Sequence, residues 1–306
     1  MEKTKSKVIV ICGPTASGKT SLSIELAKRI NGEIVSCDSM LIYKKMDIGT
    51  AKPTISEMEG IKHYLIDIIE PDQRYSVSEY KKDAKKAIKE ILEKGKVPII
   101  VGGTGLYIDS LIYEIEYANI EFDENYRKYL EERVKKEGLE KLYKEASEID
   151  TLAIQKISSN DEKRILRILE IYHSTGKNKT ELEIDSRKKE VEFDYKVYAI
   201  NWERSKLYER INKRVEIMIN NGLIEEVKKI LSQYTIFPTA MQGLGYKEIV
   251  EYINGNITRE EAIEKIKRET RRYAKRQITW FRKNKQTIWI SGESDINSNI
   301  EIISKN

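Results

Sequence analysis

The feature that most constrains this chain is residues 13–20, which match the phosphate-binding pattern G-x-x-x-x-G-K-[ST] at every fixed position. Residues 7–12 are apolar and β-branched like a strand buried on both faces, and apolar residues recur at helical spacing over 21–30. Strand, loop and helix are the context that this pattern needs. We therefore predict a P-loop in a parallel α/β sheet. Its residues are Gly13, Pro14, Thr15, Ala16, Ser17, Gly18, Lys19 and Thr20.

These eight residues predict a diphosphate-binding site. The glycines let successive backbone N–H groups face one anion at the positive end of the following helix. Lys19 adds a positive charge, and Thr20 offers a hydroxyl ligand to Mg²⁺. The pattern alone leaves open whether the ligand is a nucleoside triphosphate or another diphosphate.

Composition narrows the class of protein. Of the 306 residues, 34% are charged and 40% are apolar, which is typical of a soluble, folded chain. The longest apolar stretches, such as 97–101, are too short to span a bilayer, and no leader pattern opens the chain, so we expect a cytoplasmic protein. The two histidines argue against a histidine triad or a zinc site.

Two further predicted strands end on polar residues. Residues 33–37 read as a strand that ends on Asp38 and Ser39, and the apolar strand 97–101 runs into a glycine-rich turn that carries Thr104. Because the carboxyl ends of parallel strands face the ligand crevice, we expect Asp38 and Thr104 near the P-loop. The alternatives are that Asp38 only caps a following helix and that the glycines only make a tight turn.

The intervening segments are predicted from local patterns. Residues 41–53 read as a functional loop, 63–68 as a third strand, and 76–94 as an amphipathic helix opened by a capping box at 76–79.

A helical insertion interrupts the sheet pattern. We divide the chain into a first core part at 1–114, an insertion at 115–195 and a core completion at 196–306. Within the insertion, residues 159–162 predict a capping box, Gly176 a helix end, and 181–192 a mobile connection. Arg164 and Arg167 lie three apart on one helical flank, where they either face an anion together or form part of a solvated surface.

The last part of the chain returns to a strand pattern and ends in a basic helical segment. We predict a strand at 195–201 and a helix at 207–218, from which Arg210 or Arg214 points back towards the P-loop. A long helix follows at 262–281. Between Lys265 and Lys285 there are ten Lys or Arg residues against one acid, Glu269, which indicates a surface for a polyanion.

Seven of these segments, taken in order, resemble the bacterial type of the tRNA dimethylallyltransferase family across nearly the whole chain. They are residues 13–20, Asp38 with Ser39, 47–53 (DIGTAKP), 101–104 (VGGT), Asn160 and Asp161 with Arg164, Gly245 with Tyr246, and 275–280 (KRQITW). The resemblance implies a P-loop kinase-like parallel sheet core with a helical insertion and a basic C-terminal helix. It also implies transfer of a dimethylallyl group from dimethylallyl diphosphate to N6 of the adenosine immediately 3′ of the tRNA anticodon.

The resemblance assigns roles to individual residues. Lys19, Arg214 and Mg²⁺ on Thr20 stabilise the diphosphate leaving group, Asp38 is the general base, and Thr104 belongs to the catalytic set. The expected tRNA-binding residues are Asp38, Ser39, Met40, Leu41, Thr104, Arg127, Lys163, Arg164, Ile165, Leu166, Arg167, Gln242, Gly243, Leu244, Gly245, Tyr246 and Lys247. Gln242 departs from the family, which usually has arginine there, and an amide offers no charge to a phosphate.

Two other functions fit part of the pattern. A small-molecule kinase would use the same loop, with Arg164 and Arg167 in a lid over ATP. A non-catalytic RNA-binding module would explain the basic helix, but not Asp38 beside a complete P-loop. We expect a monomer whose partners are tRNA and dimethylallyl diphosphate, with no membrane contact.

Overall fold

The buried apolar runs of the sequence pair as one parallel sheet in the computed structural model, which describes residues 5–115, 123–186 and 190–305. The strands in these residues are β1 Lys7–Cys12, β2 Gly32–Ser36, β3 His63–Tyr64, β4 Val97–Gly102, β5 Asp194–Asn201 and β6 Ile288–Ser291. Their order is β3-β2-β4-β1-β5-β6, and every pairing is parallel. The predicted α/β class with a P-loop kinase-like sheet is confirmed.

The sheet is buried because helices cover it. The described residues divide between two compact units, one within Met1–Ile108 and Glu192–Asn306 and one within Asp109–Val191. The helices of the first unit are α1 Lys19–Ile30, α2 Ile55–Met58, α3 Val77–Glu93, α10 Arg204–Asn220, α11 Leu223–Gln233, α12 Tyr246–Ile253, α13 Arg259–Phe281 and α14 Ile296–Lys305, and α4 Gly105–Ile112 continues into the second unit. A short 3₁₀ helix occupies Ala240–Gln242.

Side chains of β1 supply the core on both faces of the sheet. Ile9 and Ile11 pack with Leu22 and other apolar residues of α1 in one buried cluster. Val8 and Val10 are equally buried but point to the opposite face, because successive strand residues alternate. This double burial explains why the sequence of β1 is continuously apolar rather than alternating.

The local predictions for this unit are largely confirmed. The strand at 7–12 and the strands at 33–37, 97–101 and 195–201 form within a residue of their predicted ends, and Ser76 and Glu79 make the expected reciprocal capping box at α3. The third strand at 63–68 is wrong beyond Tyr64. Leu65 and Asp67 have φ of 62° and 55°, a left-handed conformation that a strand cannot contain.

The second unit is a helical assembly with its own core. Its helices are α5 Glu124–Glu137, α6 Leu139–Ile149, α7 Thr151–Ile154, α8 Glu162–Thr175 and α9 Lys179–Ser186. Leu130, Leu142 and Ile168 are among the residues fully buried in it. The predicted limits of the insertion, 115 and 195, stay a prediction.

The ends of the helices in the second unit correct two expectations. The capping box at 159–162 is wrong, because α8 is capped by Asp161, which accepts the Arg164 N–H at 3.2 Å, whereas the end at Gly176 is confirmed. The mobile connection at 181–192 is also wrong at its start, since Lys179–Ser186 is helical, and 187–189 lie outside the described residues. Among the described helices, none combines the length and apolar character that crossing a bilayer would require.

Candidate active site

The loops that follow four neighbouring strands meet at one edge of the sheet. Cys12, the last residue of β1, lies opposite Gly102 of β4 and Ala199 of β5, and Ser36 of β2 lies opposite Val101. The chain segments leaving these positions carry the P-loop, Asp38, Thr104 and Trp202. Parallel pairing in this register therefore brings the four segments together, as expected for the ligand crevice of such a sheet.

The P-loop leaves the N-terminus of α1 open to an anion. Gly18 caps α1 with φ of 90°, and no side chain accepts a hydrogen bond from the first turn. The free N–H groups of a helix start, with the positive end of the helix dipole, suit a phosphate. Gly13 has φ of 149°, and a Cβ there would lie 3.1 Å from the Ile200 oxygen, so both the conformation and the contact favour glycine.

Lys19 lies folded back over the loop. Its Nζ donates to the carbonyl oxygens of Gly13 at 3.1 Å and Pro14 at 2.7 Å. Burial, helped by the positive charge of Arg214 and opposed by Asp38, lowers the pKa of Lys19 to about 8. A buried ammonium with only neutral acceptors is poised to bind an anion, because a negative ligand offsets its cost of desolvation.

Two arginines of α10 face the same loop. Arg210 Nε donates to Ala16 O at 2.8 Å, which confirms that an arginine of this helix reaches the P-loop, and its guanidinium stacks on Trp202. Arg214 is partly buried, and its terminal nitrogen donates weakly to Thr50 O at 3.4 Å. Within the described residues its Nε has no partner. Burial lowers the pKa of Arg214, with Asp38 opposing that effect.

Asp38 lies in the turn that leaves β2. Its Oδ1 accepts the Met40 N–H at 2.9 Å, and no helix begins in the described chain until Ile55, so the helix-cap alternative is wrong. The carboxylate interacts electrostatically with Lys19 and Arg214. Asp38 is partly exposed. One of its carboxylate oxygens holds the turn, and the carboxylate also lies near the positive charges of Lys19 and Arg214.

Thr104 connects the turn after β4 with the turn after β2. Its Oγ1 accepts the Ser39 N–H at 3.0 Å and donates to Ser39 Oγ at 3.3 Å. Tyr273 of α13 lies close to Thr104, and burial together with the nearby charge of Asp38 raises the pKa of its phenol well above the ordinary value. No sequence pattern placed Tyr273 beside Asp38 and Thr104.

Glu226 organises the loop at 41–53, and no sequence signal pointed to it. Its carboxylate accepts the backbone N–H groups of Asp47 at 2.9 Å, Ile48 at 2.7 Å and Gly49 at 3.1 Å. The Tyr246 hydroxyl adds a fourth hydrogen bond at 2.6 Å. Thr50 of the same loop accepts a hydrogen bond from Arg214, so the hydrogen bonds of Glu226 also help to position Thr50.

The expected tRNA-binding residues of the first unit differ in exposure. Gln242 is exposed, whereas Met40, Leu41, Leu244 and Lys247 are partly so. Gly243, Gly245 and Tyr246 are buried, and the Tyr246 hydroxyl is engaged by Glu226. These three residues therefore shape the loop rather than offer a side chain to a ligand, while a tRNA contact at the others stays a prediction.

Two of the expected tRNA-binding residues of the second unit, Arg127 and Lys163, line an open cleft. It has a volume of about 540 Å³, and its lining includes Arg127, Asn160 and Lys163. Glu170, almost fully buried, pairs with Arg127 at 3.0 Å and with Arg167 at 3.2 Å.

Neighbouring positions on α8 alternate between surface and core. Lys163, Arg164 and Arg167 are exposed, but Ile165 and Leu166 are fully buried in the core of the unit. The side chains of Ile165 and Leu166 thus support the basic flank and do not reach its surface.

The basic surface lies on α13. Some of its cations are paired, including Lys265 with Glu251 at 2.6 Å and Lys267 with Glu216 at 3.0 Å. Lys275 and Arg276 are exposed and make no ion pair within the described residues. They are the cations of this helix most available to an anionic partner.

Comparison with known proteins identifies the family to which the chain is similar. The model of the family described as IPP transferase matches residues 41–284. The chain is 52% identical over 297 residues to a tRNA dimethylallyltransferase of Acetivibrio thermocellus, covering 97% of this chain and 95% of the relative. It is 50% identical over 291 residues to the enzyme of that name from Carboxydothermus hydrogenoformans, covering 95% and 94%.

Solved structures show the same relationship. The tRNA isopentenylpyrophosphate transferase of Bacillus halodurans superposes with a TM-score of 0.74 at 42% identity, covering 98% of this chain and 95% of that one. A eukaryotic dimethylallyltransferase acting on tRNA gives a TM-score of 0.78 at 29% identity, covering 98% and 80%. The chain belongs to the IPP transferase family.

Proposed function

We propose that this chain transfers a dimethylallyl group from dimethylallyl diphosphate to N6 of the adenosine immediately 3′ of the tRNA anticodon, position 37. The products are N6-isopentenyladenosine and pyrophosphate. The observation that carries the proposal is the arrangement of Lys19, Arg214 and Asp38 around one P-loop. The names of the relatives at about half identity support it.

The cationic side of the site suits the leaving group. An allylic diphosphate ionises more readily when its diphosphate leaving group is stabilised. Positive groups near the leaving group act most strongly in the transition state, where negative charge collects on it. Lys19 supplies such a group next to the open start of α1, as does Arg214, whose Nε has no partner in the described part of the chain. The breaking C–O bond leaves its electron pair on the diphosphate, and the allyl carbon becomes electrophilic.

Mg²⁺ would be held by the exposed hydroxyl of Thr20 together with oxygens of the diphosphate and water. A hydroxyl in the first turn after the P-loop lysine is the hard oxygen ligand that this ion prefers. When bound, the ion would offset negative charge on the diphosphate.

The acidic side of the site suits the acceptor. The lone pair of an exocyclic adenine amine is delocalised into its ring, so a carboxylate is needed to orient the amine and accept its proton. Asp38 can do so while its Oδ1 holds the Met40 N–H. The adenine must first leave its stack to reach this carboxylate, beside which Ser39 donates a hydrogen bond to Thr104.

The reaction itself separates this function from a kinase. We expect purified protein to release one pyrophosphate for each prenylated adenosine, with unmodified tRNA, dimethylallyl diphosphate and Mg²⁺ and without any nucleoside triphosphate, because the donor occupies the P-loop. Labelled donor and a pyrophosphate assay measure both products. An absolute ATP requirement, or phosphate transfer from ATP to a small molecule, would contradict the proposal.

Replacing Asp38 by asparagine should leave both substrates bound but slow their reaction by ~10²–10⁴. The amide oxygen can still accept the Met40 N–H, so the turn is retained while the proton acceptor is lost. Single-turnover rates with saturating tRNA measure the effect, and Asp72→Asn at an exposed turn is the matched control. A wild-type rate in Asp38→Asn would remove this carboxylate from the mechanism.

Donor binding should weaken as the pH rises through about 8, because the pKa of Lys19 is lowered to about 8 in the free protein. Below that pH the ammonium is charged and attracts the diphosphate, and above it the attraction is lost. Titration calorimetry with dimethylallyl diphosphate, without tRNA, measures the affinity from pH 6.5 to 9.5. Lys19→Arg keeps its charge throughout and should lose this dependence; an unchanged wild-type affinity up to pH 9.5 would contradict the assignment.

Binding of tRNA should fall steeply with salt, because cations of α13 would release counterions from RNA phosphates. Lys275→Ala and Arg276→Ala should each reduce the slope of log affinity against log salt by about one, whereas Lys305→Ala, at the end of α14, should not. Filter binding at several salt concentrations gives the slopes, and donor affinity should change far less. A flat tRNA dependence would identify α13 as a solvated surface only.

A further inference from the structure

Gln277 lies on the buried side of α13, between the P-loop and the turn that carries Thr104. The side chain is only 6% exposed. Its Oε1 accepts the Thr15 N–H at 2.9 Å, and its Nε2 donates to Gly103 O at 2.9 Å. One amide group thus bridges two backbone segments that are far apart in sequence.

The fit around this amide is close on every side. A Cβ on Gly103 would lie 2.2 Å from Gln277 Nε2, and a Cβ on Gly105 would lie 2.3 Å from the Trp280 ring. One turn earlier, Ala274 packs in a buried cluster with Ala16 of the P-loop. Side chains of α13 therefore pack directly against the P-loop and against the backbone of the turn that carries Thr104, which leaves little room for either to move towards the helix.

The two hydrogen bonds require a side chain that accepts and donates at the same time. A glutamine amide offers one oxygen and one NH₂ group at its tip. A methionine of similar length offers neither, while a carboxylate can accept from Thr15 but would set an oxygen against Gly103 O. Burial alone would allow an apolar residue at position 277, but the two hydrogen bonds require a side chain that both accepts and donates.

This bridge continues towards the acceptor side of the site. Gly103 precedes Thr104, whose hydroxyl accepts the Ser39 N–H beside Asp38. A chain of hydrogen bonds and covalent links consequently runs from the P-loop through Gln277 to the turn after β2. The Thr15 N–H is used within this chain, so the diphosphate must be bound by other groups of the P-loop.

We infer that Gln277 is a positioning residue for group transfer: it fixes the spacing between the P-loop, which holds the diphosphate, and the Thr104 and Asp38 turns, which hold the acceptor amine. The inference rests on the proposed function. Both substrates would bind without the bridge, but their reacting atoms would be less well aligned, and small misplacements of this kind slow reactions strongly.

The experiment compares Gln277→Met and Gln277→Glu with the wild type and with Gln233→Met, a matched change at an exposed position on α11. Single-turnover transfer to tRNA, donor affinity without tRNA, tRNA affinity and the melting temperature are measured for each. We expect Gln277→Met to reduce the transfer rate by roughly tenfold to a hundredfold. Both affinities should change by less than the rate does, and Gln233→Met should match the wild type.

Amide hydrogen exchange reports the bridge without reference to catalysis. Exchange at the Thr15 N–H should accelerate in Gln277→Met but stay slow in Gln277→Glu, which keeps the acceptor. Transfer should still be slow in Gln277→Glu, because the Gly103 side of the bridge is lost. If Gln277→Met does not fold, Gln277→Glu decides the question by the same rate and affinity measurements.

Three results would overturn the inference: a wild-type transfer rate in the folded variant, a loss of donor affinity as large as the loss of rate, or unchanged exchange at the Thr15 N–H in Gln277→Met. Failure of the proposed function is a separate result, because the wild type would then prenylate no tRNA. The exchange measurement would still test the bridge in that case.

Discussion

The site depends on the parallel pairing of β2, β4, β1 and β5. Because these strands run in the same direction and end at nearly the same level, the segments that leave them must share a small volume at one edge of the sheet. The P-loop, the carboxylate of Asp38 and the hydroxyl of Thr104 follow different strands. Their proximity follows from the order and register of the strands.

The chemistry at this edge depends on positive charge that the fold keeps away from water. Burial lowers the pKa of both Lys19 and Arg214, and the positive charge of Arg214 lowers that of Lys19 further. Asp38 and the carbonyl oxygens of Gly13 and Pro14 compensate only in part. A bound anion would add to this compensation, because its negative charge offsets the cost of burying the two cations.

Side chains from the C-terminal half hold the loops of the N-terminal half in place. Glu226 accepts three backbone N–H groups of the loop at 41–53, and Gln277 bridges Thr15 and Gly103. Such loops lack regular secondary structure, so their backbone groups need partners from elsewhere. The C-terminal helices therefore hold the loops of the site in place through buried polar groups, and α13 also carries an exposed basic surface.

The sequence by itself determined the P-loop, the strand that precedes it and the polar residues at the strand ends, because each of these follows from a local pattern of hydrophobicity, glycine and charge. It also marked the arginines of α10, although not which contact each one makes. Tertiary structure alone decided that Tyr273, Glu226 and Gln277 belong to the site. Gln277 and Thr15 are 262 positions apart, and no local pattern carries information about a hydrogen bond across such a separation. These contacts exist only once the sheet has set where each loop lies and the helices have packed against it.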